Sequence, residues 1–156
     1  MEYWQILRKE LGKQQIILPA AAGAILDGDR ILLVKPNGGD LWHLPGGLQD
    51  LNESITQTVE REIQEELGIR MHVDMLVSVF SDPKWIFALP NGDVTQTFLH
   101  FFLMKGEWRM EDIVPQSDEI SEFQLFPLGA IPDNTKECCK VKCKDLLSYD
   151  GSVRFR

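Results

Sequence analysis

The chain is predicted to fold as an α+β protein, an α/β/α sandwich with a mixed β-sheet between helices. Three observations predict this class. Two apolar runs, "IILPAAAGAIL" and "RILLV", flank the turn signal "DGD" at Asp27 to Asp29 and read as a strand pair. A helical stretch from about Ser54 to Leu67 then interrupts the strands. More strands precede a second long helical stretch at 134–148, which is not the regular alternation of a parallel βαβ repeat. With 156 residues, 44% hydrophobic and 26% charged, the chain suits one domain, 1–156, with its own core.

Each element has a local reason. Residues 2–11 read as a short helix because Trp4, Leu7 and Leu11 recur at helical spacing. After the first strand pair, "KPNGGD" (Lys35 to Asp40) is a loop by its Pro, Asn and Gly content. "LWHLPGG" leads towards the main helix, which Gly68 ends at a C-cap position. The runs "MHVDMLVSVF", "KWIFAL" and "TQTFLHFFLMKG" read as strands, the last two joined by the hairpin turn "PNGD". "EFQLFPL" offers one further strand, and the tail "YDGSVRFR" carries no pattern.

Charge and cysteine usage narrow the function. A formal charge of -8 argues against nucleic acid or an anionic membrane as partner through a basic surface. The apolar runs are too short to span a bilayer. The first residues, "MEYWQILRKELG", lack the apolar segment of a signal peptide. Cys138, Cys139 and Cys143 are odd in number and clustered, so no disulfide framework is expected and a cytoplasmic setting is. "CCKVKC" has no nearby His or second Cys pair to complete a zinc site, so these thiols read as small hydrophobes. "DGD" and "PNGD" lack the twelve-residue calcium loop.

The informative stretch is "REIQEELGI", Arg61 to Ile69. At about 100° per residue, Glu62, Glu65 and Glu66 share an arc of about 100°, with the small Thr58 inside it. Ile55, Val59, Ile63 and Leu67 form the adjoining apolar stripe. The carboxylates therefore line the edge of a buried face, although like charges at this spacing cost an isolated helix roughly 0.2–0.5 kcal/mol per pair. Hard divalent cations that prefer oxygen ligands would make the crowding useful. "PGG" at Pro45 to Gly47 supplies a backbone approach without side chains, and Arg61 is a fixed cation able to orient a carboxylate.

Gly47, five residues, Glu53, seven residues and then "REIQEELGI" resembles the Nudix box, G-x5-E-x7-R-E-U-x-E-E-x-G-U, at every fixed position. Ile63 and Ile69 fill the aliphatic slots. The departure is Thr58, where the family usually has alanine. The resemblance implies the Nudix fold and a Mg²⁺- or Mn²⁺-dependent hydrolase that cleaves the pyrophosphate bond of a nucleoside diphosphate linked to another moiety. It implies Glu62, Glu65 and Glu66 as metal ligands, with the backbone of Gly46 or Gly47 adding one. Arg61 would orient a glutamate, and Glu53 would be an auxiliary ligand or a partner of Arg61. Glu119 in "QSDEISEF" is the expected general base, with Asp118 and Glu122 as competitors.

Lys35 and Trp85 are the expected substrate contacts, through phosphate and base stacking respectively. Pro83 lies near the position at which ADP-ribose-cleaving relatives often carry a proline, so ADP-ribose-like compounds lead the expected small-molecule nucleotide substrates, followed by (d)NTPs. The resemblance also allows a homodimer. The rival reading is a non-catalytic Nudix-fold nucleotide sensor, but sensors typically lose box glutamates and this chain keeps them all.

Overall fold

The computed structural model describes residues 1–89 and 91–156. In chain order the elements are helix α1 (Tyr3–Leu11), strands β1 (Ile16–Ala24), β2 (Leu26–Asp27), β3 (Arg30–Pro36) and β4 (Gly46–Leu48), and helix α2 (Ile55–Leu67). Strands β5 (His72–Phe80), β6 (Ile86–Ala88), β7 (Val94–Lys105) and β8 (Ile120–Pro127), helix α3 (Glu137–Leu147) and strand β9 (Arg154–Phe155) follow. One sheet has the order β4-β1-β7-β5-β9 with β6 added on β7, and the other is β2-β3-β8. β1 runs parallel to β7 over its whole length, from Ile16 opposite Thr95 to Ala24 opposite Leu103, while β4 pairs antiparallel with β1 and β5 antiparallel with β7. The sheet is mixed, as predicted.

The three layers follow from the period-two alternation of strand side chains. Ala21, Leu32, Val34, Phe102 and Met104 face α2 and pack with its Val59, Ile63 and Leu67. Their neighbours Ala22, Ile31, Leu33 and Phe101 face the opposite way and pack with Cys139 and Cys143 of α3. Val59, Ile63 and Leu67 have no exposed surface. At about 1.5–3 kcal/mol for each such side chain, their burial outweighs the mutual repulsion of the glutamates beside them. The two buried cysteines are free thiols in apolar packing, as the sequence suggested.

Both ends of α2 are closed. The Ser54 hydroxyl accepts from the Gln57 N–H, and the Gln57 side chain accepts from the Ser54 N–H. At the other end, Gly68 (φ 72°) donates to the Gln64 carbonyl in the left-handed conformation that favours glycine. A Cβ there would stand 2.2 Å from the Val114 carbonyl oxygen. Gly68→Ala is therefore expected to destabilise the protein by about 2 kcal/mol or more, combining left-handed strain with a backbone clash. Urea unfolding of the variant measures it.

The structure changes one local expectation, for "KWIFAL", and adds three details. The two glycines of "PGG" open edge strand β4, where Gly46 (φ 148°) leaves room for β1: a Cβ would lie 2.2 Å from the Ala21 carbonyl oxygen. "KWIFAL" begins as a 3₁₀ turn at Pro83–Trp85, capped by the Asp82 side chain, before β6. The tail forms β9 on β5, and Arg156 pairs with the buried Asp145 of α3. Helix α1 has no buried residue and is tied down by Arg8, whose guanidinium donates to the Val94 carbonyl and the Thr95 hydroxyl. In the "PNGD" hairpin, the Leu89 N–H donates to the Asp93 carbonyl, while Pro90 lies outside the described residues. No helix among the described residues is long and apolar enough to cross a membrane.

Candidate functional site

Glu62 and Glu66 of α2 face β4 and the segment leading to β8. That segment is fastened to the end of α2, where the last helical carbonyls need donors. The Val114 N–H bonds the Leu67 carbonyl and the Gln116 N–H bonds the Glu65 carbonyl, both at 3.0 Å. Further along, the Asn37 N–H donates to the Glu119 carbonyl at 2.7 Å. These ties place the Glu119 side chain opposite α2. Glu62, Glu66 and Glu119 each present a carboxylate oxygen, all within 4.8 Å of one another.

Glycine makes the other wall. A Cβ on Gly47 would lie 2.5 Å from the Glu62 carboxylate, so the absence of a side chain lets β4 approach the acids. The Gly46 N–H donates to Glu66 at 3.0 Å. Glu66 is buried and Glu62 is half-buried. Burial pushes Glu66 up to about 8 and Glu62 up to about 7, the latter against the pull of Arg61. Three convergent oxygens, two of them from carboxylates whose charged forms burial penalises, make a donor set suited to a hard divalent cation.

Arg61 organises the remaining acids. Its guanidinium grips Glu53 with two hydrogen bonds, Nε to Oε2 at 2.9 Å and Nη2 to Oε1 at 2.8 Å. It also donates to Glu62 at 2.9 Å, Glu65 at 3.1 Å and the Leu48 carbonyl at 3.1 Å. Glu53 accepts further from the Asp50 N–H and the Thr58 hydroxyl. Arg61 foremost holds the Glu53 carboxyl down to about 2. Arg61 thus links the β4 backbone, the loop before α2 and the helix itself through bonds of the stronger, charge-assisted kind.

The residues singled out from sequence divide into two groups. Glu62, Glu66, Glu119 and Gly47 come together, whereas Glu65 is exposed and held to Arg61, and Glu53 is the partner of Arg61. Trp85 lines a cavity of about 600 Å³ between the sheet and the start of α3. Lys35 is not part of that lining: its amine pairs with Glu122 at 3.0 Å and lies 4.5 Å from the centre of the Trp42 ring. Trp42 is core, edge-on to Phe126. A smaller cleft of about 250 Å³ exposes Arg61, Glu62, Glu65 and Glu119, and adds Trp4, Gln49 and Asp50, which sequence reasoning did not place here. Gly46, Gly47 and Leu48 line both spaces, so β4 is their common wall. No spacing signal in the chain joins Trp4 to residues some fifty positions away; the nearest physical link is the Tyr3 N–H bonded to the Asp50 side chain.

The NUDIX domain model matches residues 17–140. The chain is 30% identical over 133 residues to the ADP-ribose pyrophosphatase of Methanocaldococcus jannaschii, covering 81% of this chain and 73% of that protein. It is 36% identical over 85 residues to a MutT-like protein of Streptomyces ambofaciens, covering 50% of this chain and 55% of that one. Among solved structures, an ADP-ribose pyrophosphatase from Streptococcus suis superimposes with a TM-score of 0.64 at 24% identity, covering 89% of this chain and 98% of that one. The MutT protein of Methanosarcina mazei gives a TM-score of 0.68 at 18% identity over 89% of this chain and 99% of that one. At these identities the two structures establish the shared fold.

Proposed function

The chain belongs to the Nudix family of pyrophosphohydrolases, and from that premise we propose that it is a Mg²⁺- or Mn²⁺-dependent hydrolase of ADP-ribose-like nucleoside diphosphate derivatives. The observation that carries this reading is the meeting of Glu62, Glu66 and Glu119 within 4.8 Å, behind a wall whose other side borders the large cavity. Glu62 and Glu66 would hold the cation, with Glu65 and the Gly47 backbone at the periphery. When bound, the cation supplies neutralisation of the diphosphate and polarisation of a phosphoryl oxygen, which an acidic protein cannot otherwise offer an anionic substrate.

The remaining roles belong to the chain's own side chains. Glu119 accepts the proton of the attacking water on its carboxylate oxygen. Arg61, fixed by Glu53, holds Glu62 in position and keeps it from turning towards solvent. Trp85 offers a stacking surface for the part of the substrate that extends past β4 into the cavity. Catalysis is then positioning plus charge stabilisation, with no covalent protein intermediate.

Purified protein with Mg²⁺ should convert ADP-ribose to AMP and ribose 5-phosphate in a panel that includes (d)NTPs and UDP-sugars, and a chelator should stop it. Binding without turnover across the panel would overturn the reading. Glu119→Gln is expected to lower kcat by about 10²-fold or more, the usual contribution of a positioned base. An unchanged kcat, with its pH profile unmoved, would transfer the role to another acid.

A further inference from the structure

The large cavity carries a charge that the reaction described above does not use. Lys142, in the middle of α3, is only 2% exposed and lines the cavity. Its ammonium has three donors and meets the Cys138 carbonyl at 3.4 Å, the Cys138 thiol beside it, and the face of Phe80, 4.4 Å from the ring centre. No carboxylate pairs with it among the described residues. A buried cation without a carboxylate is costly, and a long carbonyl bond, a neighbouring thiol and a cation–π contact make a thinner shell than water.

The surroundings add to the same sign. Lys84 and Lys136 also line the cavity, while its one carboxylate, Glu137, is turned to Lys140 at 2.7 Å. The first turn of α3, Glu137 to Cys139, borders the space with the positive end of the helix dipole. His43, on the same wall, is neutral at pH 7, because burial first and Lys136 second push its imidazole down to about 4. The buried indole Nε1 of Trp85 has no hydrogen-bond partner among the described residues. Surplus donors and positive charge that no carboxylate pairs with at Lys142 thus converge in an otherwise apolar cavity of a chain whose formal charge is -8.

We propose that Lys142 and Lys136 form an anion subsite, so that the preferred substrates are nucleoside diphosphates whose second moiety carries a phosphate or carboxylate of its own. This rests on the proposed diphosphate hydrolysis and specifies its substrate class. The acids of the smaller cleft face the scissile diphosphate, β4 separates the two spaces, and the distal anion reaches Lys142 from the far side. Phosphate and carboxylate share the chemistry that the ammonium recognises.

Matched substrates that differ by one anionic group test it. UDP-glucuronate against UDP-glucose probes the carboxylate, and ADP-ribose bearing a phosphate on the terminal ribose against ADP-ribose probes the phosphate. The wild type should favour the charged member of at least one pair by tenfold or more in kcat/KM. Lys142→Met, which keeps the stem and removes the charge, should bring that ratio close to one. Equal kcat/KM within both wild-type pairs, or selectivity retained in Lys142→Met, overturns the subsite while leaving the hydrolase reading intact. If no pair is hydrolysed, the hydrolase reading fails, and calorimetric binding of inorganic phosphate to the metal-free protein decides the subsite separately. A loss of tenfold or more in phosphate affinity on Lys142→Met supports it, and an unchanged affinity overturns it. Should Lys142→Met fail to fold, Lys136→Met at the exposed start of α3 is measured in its place, with the same two outcomes.

Discussion

Glu66→Gln is expected to lower divalent-dependent turnover by about 10³-fold. A catalytic cation supplies several kcal/mol of transition-state stabilisation, and each 1.36 kcal/mol is a factor of ten in rate. Glu66 is the most deeply buried member of the trio that meets within 4.8 Å, and its oxygen also accepts from the Gly46 N–H. Glutamine retains an acceptor for that N–H and the same volume, so the fold should persist. It removes the charge that a cation needs. Steady-state kinetics at saturating Mg²⁺, with circular dichroism to verify the fold, measure the effect. Turnover within tenfold of wild type would remove Glu66 from the ligand set.

Metal-free protein should lose thermal stability as pH rises from 5 to 8, and Mg²⁺ should restore it. An ordinary glutamate titrates near 4.5, whereas folded Glu62 and Glu66 titrate at about 7 and about 8. Between those limits the folded state binds more protons than the unfolded state. Stability is therefore fully present below the unfolded value and declines until pH passes the folded values. The two shifts amount to about 6 kcal/mol between pH 5 and 8 at roughly 1.36 kcal/mol per unit, and a chain of this size changes Tm by about 2–4 °C per kcal/mol, so the fall should be on the order of 10 °C. A divalent cation favours the deprotonated carboxylates and adds binding free energy to the folded state alone. Calorimetric scans with chelator and with Mg²⁺ at pH 5, 6.5 and 8 measure both effects. In Glu66→Gln the pH slope should be shallower and the gain from Mg²⁺ smaller. A metal-free Tm that stays level over this range would show that the buried pair does not carry its charge unfavourably.

Glu62 and Glu66 were legible in the chain because a helix puts residues four apart on one side, and the apolar stripe beside them reports where the core lies. Glu53 was legible through its fixed distance from Gly47 and Arg61, and Arg61 as the cation beside the glutamates, although the choice for Glu53 between ligand and arginine partner needed the two-point grip that now favours the partner. Lys35 illustrates the opposite case. Its place at a strand end suggested a ligand, but β8 lies beside β3 and supplies Glu122, and that neighbour is invisible from local spacing. "PGG" was legible as a backbone approach free of side chains, but that the missing side chains also admit β4 against β1 depends on a strand more than twenty positions away.

What consecutive residues encode is periodicity, caps and the placement of groups along one helix. These suffice for the sandwich, the ends of α2 and the carboxylate edge, since each depends on neighbours within a few positions. The closing of Glu119 onto that edge, the cavity behind β4, the burial of Lys142 and the stitching of the tail through Arg156 to Asp145 depend on strand order and long-range pairing. Contacts of that kind exist once the layers have packed, because burial and proximity are properties of the assembled core and of no segment taken alone.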